Sequence, residues 1–239
     1  MNEFWTMLVY TACSGACILL GGLVGCLRRL GPAWLDRELR HSVMAFGGGV
    51  LVSAVALVLV PEGSRHLGAA WPAALAFVCG GLAFFALERF MGLHRAEMPQ
   101  FGALLLDYMP ESLALGGLFA SGAASAPLLA VLIGLQNLPE GFNAYRELRG
   151  LRRLPGIVIL LLMAALVPMG PVLGAVGWFY AQDHPALLGA VMLFAAGGIV
   201  YLLFQDIAPQ SRLERHWAPA LGAVLGFAIG LLGELLLVH

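Results

Sequence analysis

Asp107-Tyr108-Met109-Pro110-Glu111-Ser112 and Gln136-Asn137-Leu138-Pro139-Glu140-Gly141 both read polar-x-x-Pro-Glu-small, and each lies inside an apolar segment long enough to cross a bilayer. A carboxylate near the centre of a membrane helix costs about 2.5–3.5 kcal/mol, so Asp107, Glu111 and Glu140 together represent about 8–10 kcal/mol unless something neutralises them. A divalent cation does so directly.

The rest of the chain supports the membrane setting. Of its 239 residues 60% are hydrophobic and 11% charged, with a mean hydropathy of +0.88, which excludes a soluble domain of this length and predicts one polytopic all-α membrane domain spanning 1–239. The thirteen basic residues are all Arg. Cys13, Cys17, Cys26 and Cys79 sit in apolar segments and read as small buried hydrophobes, with no disulfide framework. Leu23-Val24-Gly25-Cys26 resembles a lipoprotein cleavage box. Glu3 precedes the first apolar segment, however, and Arg28 and Arg29 follow it, which predicts a membrane span and not a signal peptide.

Apolar runs at about 5–27, 42–61, 71–91, 101–121, 126–145, 156–181, 187–205 and 217–238 predict eight transmembrane helices joined by short connections. The arginines test that count. Arg28, Arg29, Arg37, Arg40, Arg89, Arg95, Arg146, Arg149, Arg152, Arg153, Arg212 and Arg215 fall on one side, and Arg65 on the other. The positive-inside rule then places both termini on the non-cytoplasmic side. The run from Arg146 to Arg153 fits orientation and anionic lipid, not nucleic acid.

Two internal matches predict inverted repeats. Phe46-x-x-Gly49 precedes Pro61 by the same fifteen residues that separate Phe194-x-x-Gly197 from Pro209, in spans 2 and 7, which run in opposite directions. The two hexapeptides, on spans 4 and 5, form a second inverted pair. Spacing puts Asp107 and Glu111 on one face of span 4, one turn apart, and Gln136 and Glu140 likewise on span 5. All four lie roughly 9–20 Å deep by helical rise. Pro110 and Pro139 each remove a helical N–H, which frees the carbonyls of Leu106 and Leu135 as further oxygen donors. Ser112 and Gly141 are small enough for close helix approach. The plainer reading is that protonated acids and proline kinks only shape the bundle, but it does not explain why the arrangement occurs twice.

These motifs, with eight spans, Val60-Pro61-Glu62 and Gln205-Asp206-Ile207-Ala208-Pro209, make nearly the whole chain resemble the ZIP (Zrt/Irt-like) family of divalent metal transporters, as a short bacterial-type member. The resemblance implies movement of metal toward the cytoplasm across a bacterial inner (plasma) membrane. It further implies a site between helices 4 and 5, an elevator motion of helices 1, 4, 5 and 6 against the rest, and a homodimer. Carried over by motif, the metal positions are Asp107, Glu111, Gln136, Asn137 and Glu140, with Glu62 and Asp206 as candidate positions for ion uptake and release. The chain departs from the family pattern in three places. Asp107 stands where His is usual, and Tyr108 where Asn is usual. The stretch Pro168-Met169-Gly170-Pro171-Val172-Leu173-Gly174 lacks the glutamate usual in helix 6, which argues for one principal site.

The donor set narrows the ion. His41, His66, His94, His184, His216 and His239 are placed in loops or at the C-terminus, leaving oxygen ligands, which suit manganese or iron while the family favours zinc. The expected substrate is therefore a divalent metal, zinc first, with no organic cofactor and no enzymatic chemistry. Membrane lipid is the expected surrounding partner. Two other functions stay open: a transporter of another substrate whose carboxylates relay protons, and a non-transporting membrane scaffold. Glu88 reads as a surface charge and Glu234 as reaching the interface. Asp183 and His184 read as a solvated loop, and Trp5, Trp34, Trp71, Trp178 and Trp217 as an interfacial belt.

Overall fold

The computed structural model describes residues 2–27, 33–92, 99–151, 154–212 and 218–237; of these, the side chains of 33–37, 91–92, 99–100, 151, 181–182 and 237 are not described. Arg28, Arg29, Arg95, Arg152, Arg153, Arg215, His94, His216, His239 and Trp217, named above, lie outside the described residues, as do the side chains of Trp34 and Arg37. Among the described residues every regular element is a helix. Six of the helices are long and apolar enough to cross a membrane.

Helix α1 is Glu3–Gly25. Helix α2 runs Ala33–Ser53, then through a π-helical segment Ala54–Leu59 into Val60–Leu67. It begins well before the expected 42, because the polar stretch around Glu38 is also helical, and it ends beyond the expected 61. Helices α3 (Ala70–Gly92), α4 (Pro99–Ala120) and α5 (Ala126–Leu151) follow. Helix α6 is interrupted at Val167–Pro168, giving Gly156–Leu166 and Met169–Asp183. Helix α7 is Pro185–Leu202, extended by a π-helical segment Leu203–Ile207 and by Ala208–Ser211. Helix α8 is Ala218–Leu237. Helices α4 and α5 have spanning length, 22 and 26 residues, but the polar residues of the two hexapeptides dilute their apolar character. The prediction that all six histidines lie outside helices is corrected. His41 is within α2 and His66 is in its last segment.

Four helix pairs make the closest approaches, and all four use one device. In α1/α5, a Cβ built on Gly21 would land on the Leu138 carbonyl, and one on Gly141 would land on that of Ile18. The same reciprocal contact joins Gly49 to Ala223 and Gly226 to Phe46 in α2/α8. It joins Gly80 to Phe194 and Gly197 to Phe77 in α3/α7, and Gly116 to Gly174 and Gly177 to Leu113 in α4/α6. Each helix thus offers a carbonyl and, three residues later, a glycine that receives its partner's carbonyl. Such contact brings backbones close enough for dispersion and Cα–H···O attraction, which drive helix association where lipid is as apolar as the helices.

Helices α1, α4, α5 and α6 therefore form one bundle, and α2, α3, α7 and α8 another. The bundles meet chiefly where α2 faces α5 and α4 faces α7. Exchanging α1 with α6, α2 with α7, α3 with α8 and α4 with α5 turns each close pair into another close pair. The two π-helical segments obey the same exchange, each ending one residue before the helical turn that contains Pro61 or Pro209. There the N–H of Val60 reaches back five residues to Val55, and that of Ala208 to Leu203. The wider turn accommodates a proline ring that an α-turn would push against the preceding carbonyl.

Candidate functional site

The two hexapeptides face one another, because α4 and α5 are antiparallel neighbours joined by the turn near Ser125. Helix runs unbroken through Pro110 and Pro139. Neither ring nitrogen can donate, so the carbonyls of Leu106 and Leu135 lose that helical partner.

At the centre, Gln136 Nε2 donates to both carboxylate oxygens of Glu111 at 2.7 Å and to Asp107 Oδ2 at 3.3 Å. Three acidic oxygens thus converge on one amide nitrogen, which has two N–H donors to share among them. Glu111, Gln136 and Asn137 are fully buried and Asp107 is 4% exposed. Asn137 Nδ2 donates to the Ser14 carbonyl at 2.9 Å, which fixes its side chain between α5 and α1.

The oxygens left over carry the chemistry. Asp107 Oδ1, Gln136 Oε1, Asn137 Oδ1, Glu140 Oε2 and Asn143 Oδ1 are all buried without a hydrogen-bond partner. Leaving one such acceptor unmet costs about 1–3 kcal/mol, more when it is charged. Each is an acceptor that a cation can satisfy. Among the described residues no three His, Cys, Asp or Glu side chains group as a metal cluster, so a cation here draws on amide oxygens as well as carboxylates.

Asp107, Glu140 and Asn143 line a cavity of about 60 Å³ between the bundles, closed by Met44 and Leu51 of α2 and by Leu202, Asp206 and Gln210 of α7. That volume admits an ion with a few waters. Asp206, named from sequence with Glu62 as a candidate position for ion uptake or release, is therefore in the cavity wall. Glu62 is elsewhere. It is 5% exposed, accepts from Ser125 Oγ at 2.7 Å and pairs with Arg65 at 2.9 Å, at the opposite end of α2 from Met44. Asn143 was missed in the sequence, although it continues the stripe of Gln136 and Glu140 one turn further along α5.

Tyr108, at the position where the resemblance implies asparagine, is buried with its hydroxyl donating to the Thr11 carbonyl at 3.4 Å and its ring end against Gly15 and Gly170. It fills the space beside the interrupted α6. Glu88 is not a bare surface charge. It accepts from the Tyr201 hydroxyl and from Gln205 at 3.4 Å, tying α3 to α7. None of the described histidines lines the cavity. The sequence matches no protein-family model and no curated protein at a significant level.

Proposed function

We propose that the chain is a membrane transporter of divalent metal ions, carrying its cargo through the oxygen cluster between α4 and α5. One observation carries the reading. Asp107, Glu111 and Gln136, from both hexapeptides, meet in one buried cluster that supplies a single amide donor for three acidic oxygens, with further buried acceptors on Asn137 and Glu140 left unpartnered. A cation arriving there would draw on carboxylate and amide oxygens of the cluster together, and Gln136 can turn its amide to present Oε1. Asn137 supplies a further oxygen. Oxygen-only donors suit manganese and iron, and zinc remains the leading cargo on the ZIP resemblance. On this reading the eight helices alternate in direction, and among the described residues Arg65 falls at one end and Arg40, Arg89, Arg146, Arg149 and Arg212 at the other. Under the positive-inside rule that end is cytoplasmic. The cavity wall includes Ala103, near the start of α4, and Gln210, near the end of α7, both toward that end.

Uptake of Zn²⁺, Mn²⁺, Fe²⁺ and Cd²⁺ into vesicles holding the purified chain tests this. Wild type is expected to take up at least one of them. Glu111→Ala and Glu140→Ala are expected to reduce uptake to background while inserting normally. Undiminished uptake in both variants would end the site assignment.

A competing reading, a proton relay serving another substrate, is favoured by the lack of a three-residue acidic, His or Cys cluster among the described residues. It requires proton flux with no metal-stimulated uptake.

A further inference from the structure

We propose that Asn143 is a second cation station, which receives the ion from the central cluster and passes it toward the arginine-rich end of the molecule. The proposal rests on the transport reading above and names a residue outside both hexapeptides.

Asn143 is 5% exposed and its Oδ1 has no partner. A buried amide oxygen is seldom left so in a finished bundle, because the desolvation it suffers is not returned. Its place explains the exception. Gln136, Glu140, Asn143 and Glu147 follow one another at helical spacing on α5, so their oxygens form a ladder leading away from the cluster. Asn143 is a shared wall of three spaces: the central cavity, a small cleft against Gly47 and Gly48 of α2, and a vestibule of about 730 Å³. The vestibule is bounded by Cys26 of α1, Arg40 of α2 and the end of α5. An ion leaving Glu140 for the vestibule passes this side chain, with Asp206 in the facing wall.

The residue type suits a transfer point. A neutral oxygen holds a divalent ion less firmly than a carboxylate does, and conduction needs sites strong enough to enter and weak enough to leave. The vestibule carries charges of both signs. Arg40, Arg146 and Arg149 line it. Arg146 is anchored to the Leu27 carbonyl at 3.1 Å and lies over the Phe142 ring, and Arg149 donates to the Leu154 carbonyl. Glu147 lines it as well, so an acidic oxygen stands in the space beyond Asn143.

The test uses the full chain in vesicles with Mn²⁺ and Cd²⁺ as probes, and Cd²⁺ binding to the same protein in detergent. Asn143→Ala is expected to lower the maximal uptake rate about tenfold while Cd²⁺ affinity at the central cluster changes by less than about twofold. Asn143→Ser, which keeps a neutral oxygen in a side chain close to alanine in size, is expected to restore uptake well above the Ala variant. Wild-type uptake in Asn143→Ala overturns the proposal. Equal loss in the Ala and Ser variants also overturns it, by giving the residue a packing role. Absence of metal uptake in the wild type would instead remove the transport reading on which the station depends.

Discussion

Asp107 shows how far single residues could be read from sequence. Its charge, depth and one-turn spacing from Glu111 were legible, and the structure brings both to Gln136 across the helix pair. What could not be read is which oxygen of each side chain is used, since that depends on the rotation of α4 against α5. Asn137 illustrates the gap: its amide nitrogen is committed to Ser14 of α1, a residue no local pattern connects to it. Asn143 escaped notice because the hexapeptide stops at Gly141, although the helical stripe continues. The position of Asp107 also governs selectivity on the proposed reading. An imidazole there adds a softer nitrogen donor to an all-oxygen set. Asp107→His is expected to shift competition toward Zn²⁺ over Mn²⁺, measured as the ratio of uptake rates from an equimolar mixture. An unchanged ratio would show that this donor does not set preference.

At the scale of elements, Phe46-x-x-Gly49 and Phe194-x-x-Gly197 were visible as matching strings, but their purpose was not. The glycine is the receiving half of a backbone contact, and the Phe carbonyl three residues earlier is the giving half. Of the partner glycines, Gly80 in α3 repeats the string as Phe77-x-x-Gly80, whereas Gly226 in α8 follows Ala223, because packing constrains the glycine and not the residue whose carbonyl is offered. The π-helical turns were illegible for a related reason: proline announces a local disturbance, not which wider turn absorbs it. Helix ends were misjudged where polar residues prolong α2 past its apolar run. These contacts make a quantitative expectation. At Gly197 any Cβ collides with the Phe77 backbone, which cannot move aside as a flexible side chain does. Gly197→Leu should therefore destabilise the α3/α7 pair by about 1–3 kcal/mol, read from reversible unfolding in mixed micelles. Gly150, where a Cβ meets nothing within 4 Å, is the control, and Gly150→Leu should change stability by less than about 0.5 kcal/mol.

For the molecule as a whole, the pairing of helices divides the chain into two bundles with the candidate site along their seam. The acidic and amide oxygens of α4 and α5 belong to one bundle, while Met44, Leu51, Asp206 and Gln210 of the other close the cavity. A cluster carried by one bundle and walled by the other changes its exposure if the bundles slide, which is how an elevator would move cargo without opening a continuous pore. At the end of the molecule that holds Arg65 the seam is held by a hydrogen bond: Ser125, in the turn between α4 and α5, donates to Glu62 of α2. Both residues are buried, and Arg65 occupies the other Glu62 oxygen. Any sliding of the bundles must break this bond. Replacing both positions, Glu62→Cys with Ser125→Cys, and bridging them with a short bifunctional thiol reagent holds the two bundles in the arrangement seen here. Bridging is expected to stop metal uptake while leaving Cd²⁺ binding in detergent intact, with recovery when a cleavable bridge is reduced. The native Cys13, Cys17, Cys26 and Cys79 are changed to Ser or Ala first, so that the reagent reports on one pair alone. Uptake that continues with the bridge in place would mean that ions cross a fixed structure, and the seam would then be a static boundary.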